Sequence, residues 1–117
     1  MLANSYPGTV YLYRHSTDMR KSFDGLCGIV INELGRDPVQ DGMFAFINKR
    51  RDRIKLLLWD RHGFWIFYKR LEKGRIQLVP RNADENVSTI TSHELVMIIE
   101  GVDLSSIKRL KRFAIYT

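Results

Sequence analysis

Apolar and polar positions recur along this chain with two different periods. Met19, Phe23, Leu26, Val30 and Leu34 are spaced by three and four, one stripe of an amphipathic helix that Cys27 and Ile31 widen. Ser16-Thr17-Asp18 offers N-cap chemistry before it, Gly35 stands at the C-cap position, and Pro38 blocks any continuation. The spacing predicts one long helix beginning at Asp18. Gly25 and Gly28 cost that helix about 1 kcal/mol each relative to Ala, a cost usually tolerated where a helix packs closely on a sheet.

Elsewhere the pattern is that of strands. Residues 9–14 (TVYLYR) follow Pro7-Gly8 and read as a short β-strand. From Gly42 to Val79 apolar runs alternate with polar turns: Met43–Ile47, turn, Ile54–Trp59, turn at Asp60–Gly63, Phe64–Lys69, turn at Glu72–Gly74, then Arg75–Val79, closed by Pro80. Gly63 is the residue expected to take a positive φ in the second turn. Leu56-Leu57-Leu58 and Trp65-Ile66-Phe67 are apolar at successive positions, so these strands are covered on both faces or lend one face to an oligomer contact. Residues 81–90 are polar and read as a loop. Thr91 and Glu94 form a capping box before Leu95, Ile98 and Ile99, a short helix ending near Gly101. The expected fold is α+β: a single domain over 1–117, an antiparallel β-meander of four or five strands with one long N-terminal helix and one short C-terminal helix. A basic tail runs from about 104.

Composition narrows the class. A 117-residue chain that is 44% hydrophobic and 11% aromatic is the size of one domain and can bury a core. No apolar run approaches the ~20 residues of a membrane span, and the N-terminus lacks the pattern of a secretory signal. One cysteine, Cys27, cannot form an intramolecular disulfide, so a reducing, cytoplasmic location is expected.

Charge is distributed very unevenly. Between Lys49 and Arg75 there are ten Lys or Arg and three carboxylates, a local net of +7, while the whole chain carries +6. Such a cluster fits a polyanionic partner. In a meander alternate turns lie at the same end, which groups Arg50, Arg51 and Arg53 with Lys69, Arg70, Lys73 and Arg75, and Lys55 lies on the strand between. These eight are the candidate nucleic-acid-binding residues. The competing reading is a solubilising rim that keeps hydrophobic strands from pairing at their edges. Trp59 and Trp65 flank the turn at the opposite end, as core residues or as platforms for an unpaired base.

Catalytic chemistry has no comparable signal. Asp18, Asp24, Asp52 and Asp60 are scattered, and Asp18 and Asp24 do not share a helical face, so no metal and no cofactor is expected. His62 reads as an exposed turn residue, His15 and His93 as structural or exposed, and Cys27 as a small core residue.

Four blocks carry a resemblance spanning most of the chain: Asp18-Met19-Arg20-Lys21-Ser22-Phe23-Asp24-Gly25-Leu26, Asp52-Arg53-Ile54-Lys55-Leu56-Leu57-Leu58-Trp59-Asp60, Phe67-Tyr68-Lys69-Arg70-Leu71-Glu72-Lys73-Gly74-Arg75 and Glu100-Gly101-Val102-Asp103. In this order they resemble the small accessory protein (TnpB, the second-reading-frame protein) of insertion-sequence-sixty-six type bacterial transposons. Ser22 departs from the Gly common there, and 81–90 is less proline-rich than expected. The resemblance implies a transposition accessory factor encoded beside a separate transposase that cuts and joins, and it brings no agreed active-site residues. The functional expectation is therefore a non-catalytic factor that binds DNA at transposon ends through the basic patch and assists the transposase. The alternative is a protein-interaction module that docks on the transposase or self-associates as a homo-oligomer.

Overall fold

Strands that are apolar at successive positions need cover on both faces; Leu56-Leu57-Leu58 finds it, whereas in Trp65-Ile66-Phe67 the Trp65 ring stays 55% exposed. The structure, a computed structural model, describes residues 6–78 and 85–100. The elements run β1 (Val10–Tyr13), α1 (Phe23–Asn32), β2 (Met43–Ile47), β3 (Arg53–Asp60), β4 (Gly63–Arg70), β5 (Val87–Ile90) and α2 (Ser92–Ile99). All five strands share one sheet in the order β4-β3-β2-β1-β5. Met43, Ala45, Ile47, Ile54 and Leu56 point to one face and pack with Leu95, Ile98 and Ile99 of α2. Phe44, Phe46 and Leu57 point to the other and pack with Leu26 and Val30 of α1. At ten residues α1 is too short to persist alone in water, so this burial holds it in place.

The expected antiparallel meander is only partly present. β2, β3 and β4 pair antiparallel, but β1 runs parallel to β2, with Val10 opposite Met43, and antiparallel to β5, with Val10 opposite Ile90. The sheet is therefore mixed. Parallel neighbours need a crossover, and the segment carrying α1 supplies it over one face. The crossover ends in a tight approach: Gly42 has φ +140, and a Cβ there would run into the Thr9 carbonyl, which accepts the Met43 N–H at 3.1 Å. Gly42→Ala should lower stability by about 1–3 kcal/mol, read from urea unfolding midpoints, because strain and clash act together.

The long helix from Asp18 is also corrected: α1 starts at Phe23, with Ser22 as an N-cap whose side chain makes no capping bond. Asp18 folds residues 18–21 into a turn instead, its Oδ1 accepting the Arg20 N–H at 2.9 Å and its carbonyl the Lys21 N–H at 3.1 Å. The carbonyls of Met19 and Lys21 accept from the Lys55 ammonium, a partner no local pattern reveals. At the other end Gly35 (φ +61) stops the helix as expected, and the Arg36 N–H reaches back to the Val30 carbonyl. The capping box of α2 forms as read, with Glu94 N–H on Thr91 Oγ1 and Thr91 N–H on Glu94 Oε1.

Two further assignments change. Residues 75–78 form no strand; Ile76 is buried on the α2 face and its N–H bonds the Arg51 carbonyl at 2.6 Å. Gly74 (φ +74) turns the chain across the end of the sheet, so β4 keeps a free edge among the described residues. Within the presumed loop, Val87–Ile90 is a strand, with Ser88 and Ile90 buried. Residues 79–84 and the basic tail from about 104 lie outside the described residues.

Candidate nucleic-acid interface

The basic end of the sheet is built on one hairpin. Asn48 ties it together: its Oδ1 accepts the N–H groups of Asp52 and Arg53, both at 3.0 Å, and its Nδ2 donates to Asp52 Oδ1 at 2.6 Å. Lys49, Arg50 and Arg51 project from this turn, exposed. Arg51 sits at φ +58, a left-handed conformation that glycine or asparagine adopts more easily. The same holds for Arg61 in the β3–β4 turn, which takes the positive φ that was expected at Gly63. Arg51→Gly should raise stability by roughly 0.5–1 kcal/mol in thermal unfolding, since the conformation is then unstrained.

Register brings the second group alongside. Arg53 pairs across the strands with Arg70, and Lys55 with Tyr68, all four on the α1 face; Lys69 pairs with Ile54 and faces the other way. The Leu71 N–H bonds the Asp52 carbonyl at 2.6 Å, and with the Ile76–Arg51 bond this holds residues 71–76, including Lys73 and Arg75, against the turn. Seven of the eight residues singled out from sequence thus gather at one end of the sheet. Lys55 does not join them. It is 8% exposed, and its Nζ donates to the carbonyls of Met19 and Lys21, both at 2.7 Å, so it braces the 18–21 turn from below.

That turn completes a cleft of about 710 Å³ lined by Ser16–Arg20, Asn48–Arg50, Asp52, Arg53 and Tyr68. Thr17 anchors the turn to the sheet, its N–H on the Ile47 carbonyl at 2.8 Å, while its buried hydroxyl has no partner among the described residues. Tyr68 is a side chain of the cleft that sequence reasoning left out of the site. Period-two alternation along Phe64–Arg70 puts Tyr68 on the face of Arg70, but which residues lie beside it depends on strand register.

Two ion pairs form among the described residues, Arg20–Asp18 at 2.7 Å and Arg70–Glu72 at 2.8 Å. Lys49, Arg50, Arg51, Lys69, Lys73 and Arg75 enter neither, so much of the positive charge is available to a ligand. Hydrogen bonds from the Arg20 side chain and backbone hold the Asp18 carboxyl at about 2, and Asp52 is lowered first by its bond from Asn48. A carboxyl lowered in the folded state stabilises it above the ordinary carboxylate range and loses that effect as pH falls through the folded value. In a ¹³C-detected titration Asp18 should therefore titrate near pH 2, with a rise toward ordinary values in Arg20→Ala.

The residues weighed for catalysis do not converge. No group of three or more His, Cys, Asp or Glu among the described residues is placed to hold a metal ion. Cys27 is half-buried, its thiol pushed up by burial and then by Asp24, and His62 is exposed on the β3–β4 turn away from the cleft. Trp59 meets Phe64 edge-to-face at 4.9 Å and Trp65 stacks on Phe67 at 6.0 Å, both toward the far end of β4. No helix among the described residues is long and apolar enough to cross a membrane.

Comparison with known proteins adds the family. The chain is similar to two uncharacterized proteins of Sinorhizobium fredii: y4jC, 29% identical over 79% of this chain and 77% of that protein, and y4hO, 28% identical over 88% of each. No solved structure matches significantly. The family model described as IS66 Orf2 like protein matches residues 8–109, so the chain belongs to the IS66 Orf2-like family, whose members are accessory proteins of transposition.

Proposed function

We propose that this protein binds DNA at transposon ends through the basic end of its sheet and thereby assists the element's separate transposase. The observation that carries the reading is the gathering of Lys49, Arg50, Arg51, Arg53, Arg70 and Arg75 around one braced hairpin, with few internal carboxylate partners. The left-handed Arg51 supports it further, since a strained arginine at the tip of a basic turn is retained more readily for contact than for folding. Phosphate oxygens are the natural acceptors for such a set, and affinity from them depends on salt more than on sequence.

The test is fluorescence anisotropy with a labelled transposon terminal repeat and a scrambled duplex across a salt series. The logarithm of affinity should fall with log salt by about 0.9 per phosphate contacted, with the terminal repeat bound more tightly. Absence of binding at low salt would remove the reading.

A second reading has its own support. Among the described residues β4 has a free edge, and it presents Trp65 at 55% exposure beside Phe67, a surface suited to a protein partner, the transposase or another copy. Co-purification with the transposase that survives nuclease and high salt, without DNA binding by this protein alone, would favour it.

A further inference from the structure

We propose that Tyr68 is a stacking platform for an unpaired base, so that the cleft takes a single strand of DNA in preference to a duplex. The inference rests on the DNA-binding reading above and specifies its ligand. Tyr68 lies on the edge strand β4 and is 51% exposed, although it stands on the sheet face that α1 covers further along. It is not a loosely held surface ring. The Lys55 Nζ sits 4.8 Å from its centroid, and Arg53 Nη1 donates to its hydroxyl at 3.4 Å. Lys55 is itself fixed by the carbonyls of Met19 and Lys21, so the ring is supported by groups that are already ordered. A platform held before binding loses little conformational freedom when a base arrives.

The surroundings match the same ligand. The 18–20 turn forms one wall of the cleft, and the Asn48–Asp52 hairpin with Arg53 forms the other. A second hollow, lined by Arg53, Tyr68, Arg70 and Glu72, continues from it along β4. The ring therefore shares these hollows with the guanidinium groups of Arg20, Arg50, Arg53 and Arg70, which can take the phosphates of a bound strand. An exposed aromatic on a sheet flanked by cations is how proteins commonly hold unpaired strands. In a duplex the base faces are already stacked on one another, so they have no free face to offer this exposed ring, whereas an unpaired base does. The volume of about 710 Å³ is that of a small-ligand pocket, suited to one or two nucleotides.

The experiment measures anisotropy with a labelled single strand and the matching duplex of a transposon end, using the full chain and Tyr68→Phe, Tyr68→Leu and Tyr68→Ala. Thermal unfolding of each variant is followed in parallel. The single strand should bind more tightly than the duplex. Tyr68→Ala and Tyr68→Leu should each weaken single-strand binding by roughly ten-fold or more, and Tyr68→Phe should stay within about two-fold, because stacking needs the flat ring and not the hydroxyl. Duplex affinity should fall by clearly less than single-strand affinity in Tyr68→Ala and Tyr68→Leu. Leucine keeps apolar bulk at this position, so its loss together with retention in phenylalanine separates stacking from folding. Duplex binding with no preference for the single strand, or an equal loss for both forms, would overturn the stacking proposal and leave the DNA-binding reading standing. Failure to bind either form would overturn both.

Discussion

Replacing Lys55 by methionine should destabilise the fold by about 2–4 kcal/mol, the largest effect expected of any single charged residue here. The reasoning is asymmetric. Methionine fills much of the same volume, so the lost packing is small. What it cannot do is donate, and the carbonyls of Met19 and Lys21 each accept from the ammonium at 2.7 Å. Hydrogen bonds to charged groups contribute about 1.5–3 kcal/mol each, and water can restore part of that at a site near the surface. Arginine is not an expected rescue, because its planar fork does not reproduce one ammonium pointing at two carbonyls. The urea midpoint should fall with an unchanged slope. DNA binding should weaken although Lys55 itself is buried away from the exposed cations, since the 18–21 turn and Tyr68 both lose their support. A methionine variant as stable as the native chain would show that the ammonium contributes nothing net.

Removing the facing arginines should do the opposite. In Arg53→Gln with Arg70→Gln, DNA affinity is expected to fall on the order of ten- to a hundred-fold, and the salt slope to shrink by about 1.8, two phosphate contacts' worth. Stability should not fall with it. Arg53 and Arg70 are directly opposed across β3 and β4, and like charges in that position repel by a few tenths of a kcal/mol. The Arg70–Glu72 pair offsets part of this, but it is exposed and worth little. The melting temperature is therefore expected to hold or rise slightly while binding drops. A variant that keeps both its affinity and its salt slope would place the DNA contact elsewhere or remove it.

Much of this was legible in local pattern because its causes are local. Thr91 and Glu94 read as a capping box and form one, since the four residues satisfy one another without help. Gly35 reads as a stop and adopts φ +61. Leu56-Leu57-Leu58 and Trp65-Ile66-Phe67 read as covered on both faces or as lending one face to an oligomer contact; the clusters around α1 and α2 cover the first, while Trp65 stays 55% exposed in the second. The readings that failed involve distant partners. The stripe from Met19 to Leu34 is helical in period, yet its first turn is diverted by the Asp18 side chain and by an ammonium from β3. Val87–Ile90 is too short and too polar to announce a strand until β1 offers it an edge. Arg75–Val79 has the composition of a strand, but its described residues, 75–78, form none, and Ile76 is buried on the α2 face instead.

By itself the sequence determined the family, the concentration of positive charge between Lys49 and Arg75, and the hydrophobic segments that must find cover. Each of these is a property of neighbouring residues or of their order. The tertiary structure decided which edges pair, that β1 runs parallel to β2, and which of eight basic residues reach solvent together. It made Lys55 a buried brace and placed Tyr68 at the mouth of a cleft that no local pattern describes. The physical reason is that strand pairing and burial join residues far apart in the chain, and the carbonyls that claim Lys55 belong to a turn more than thirty residues away.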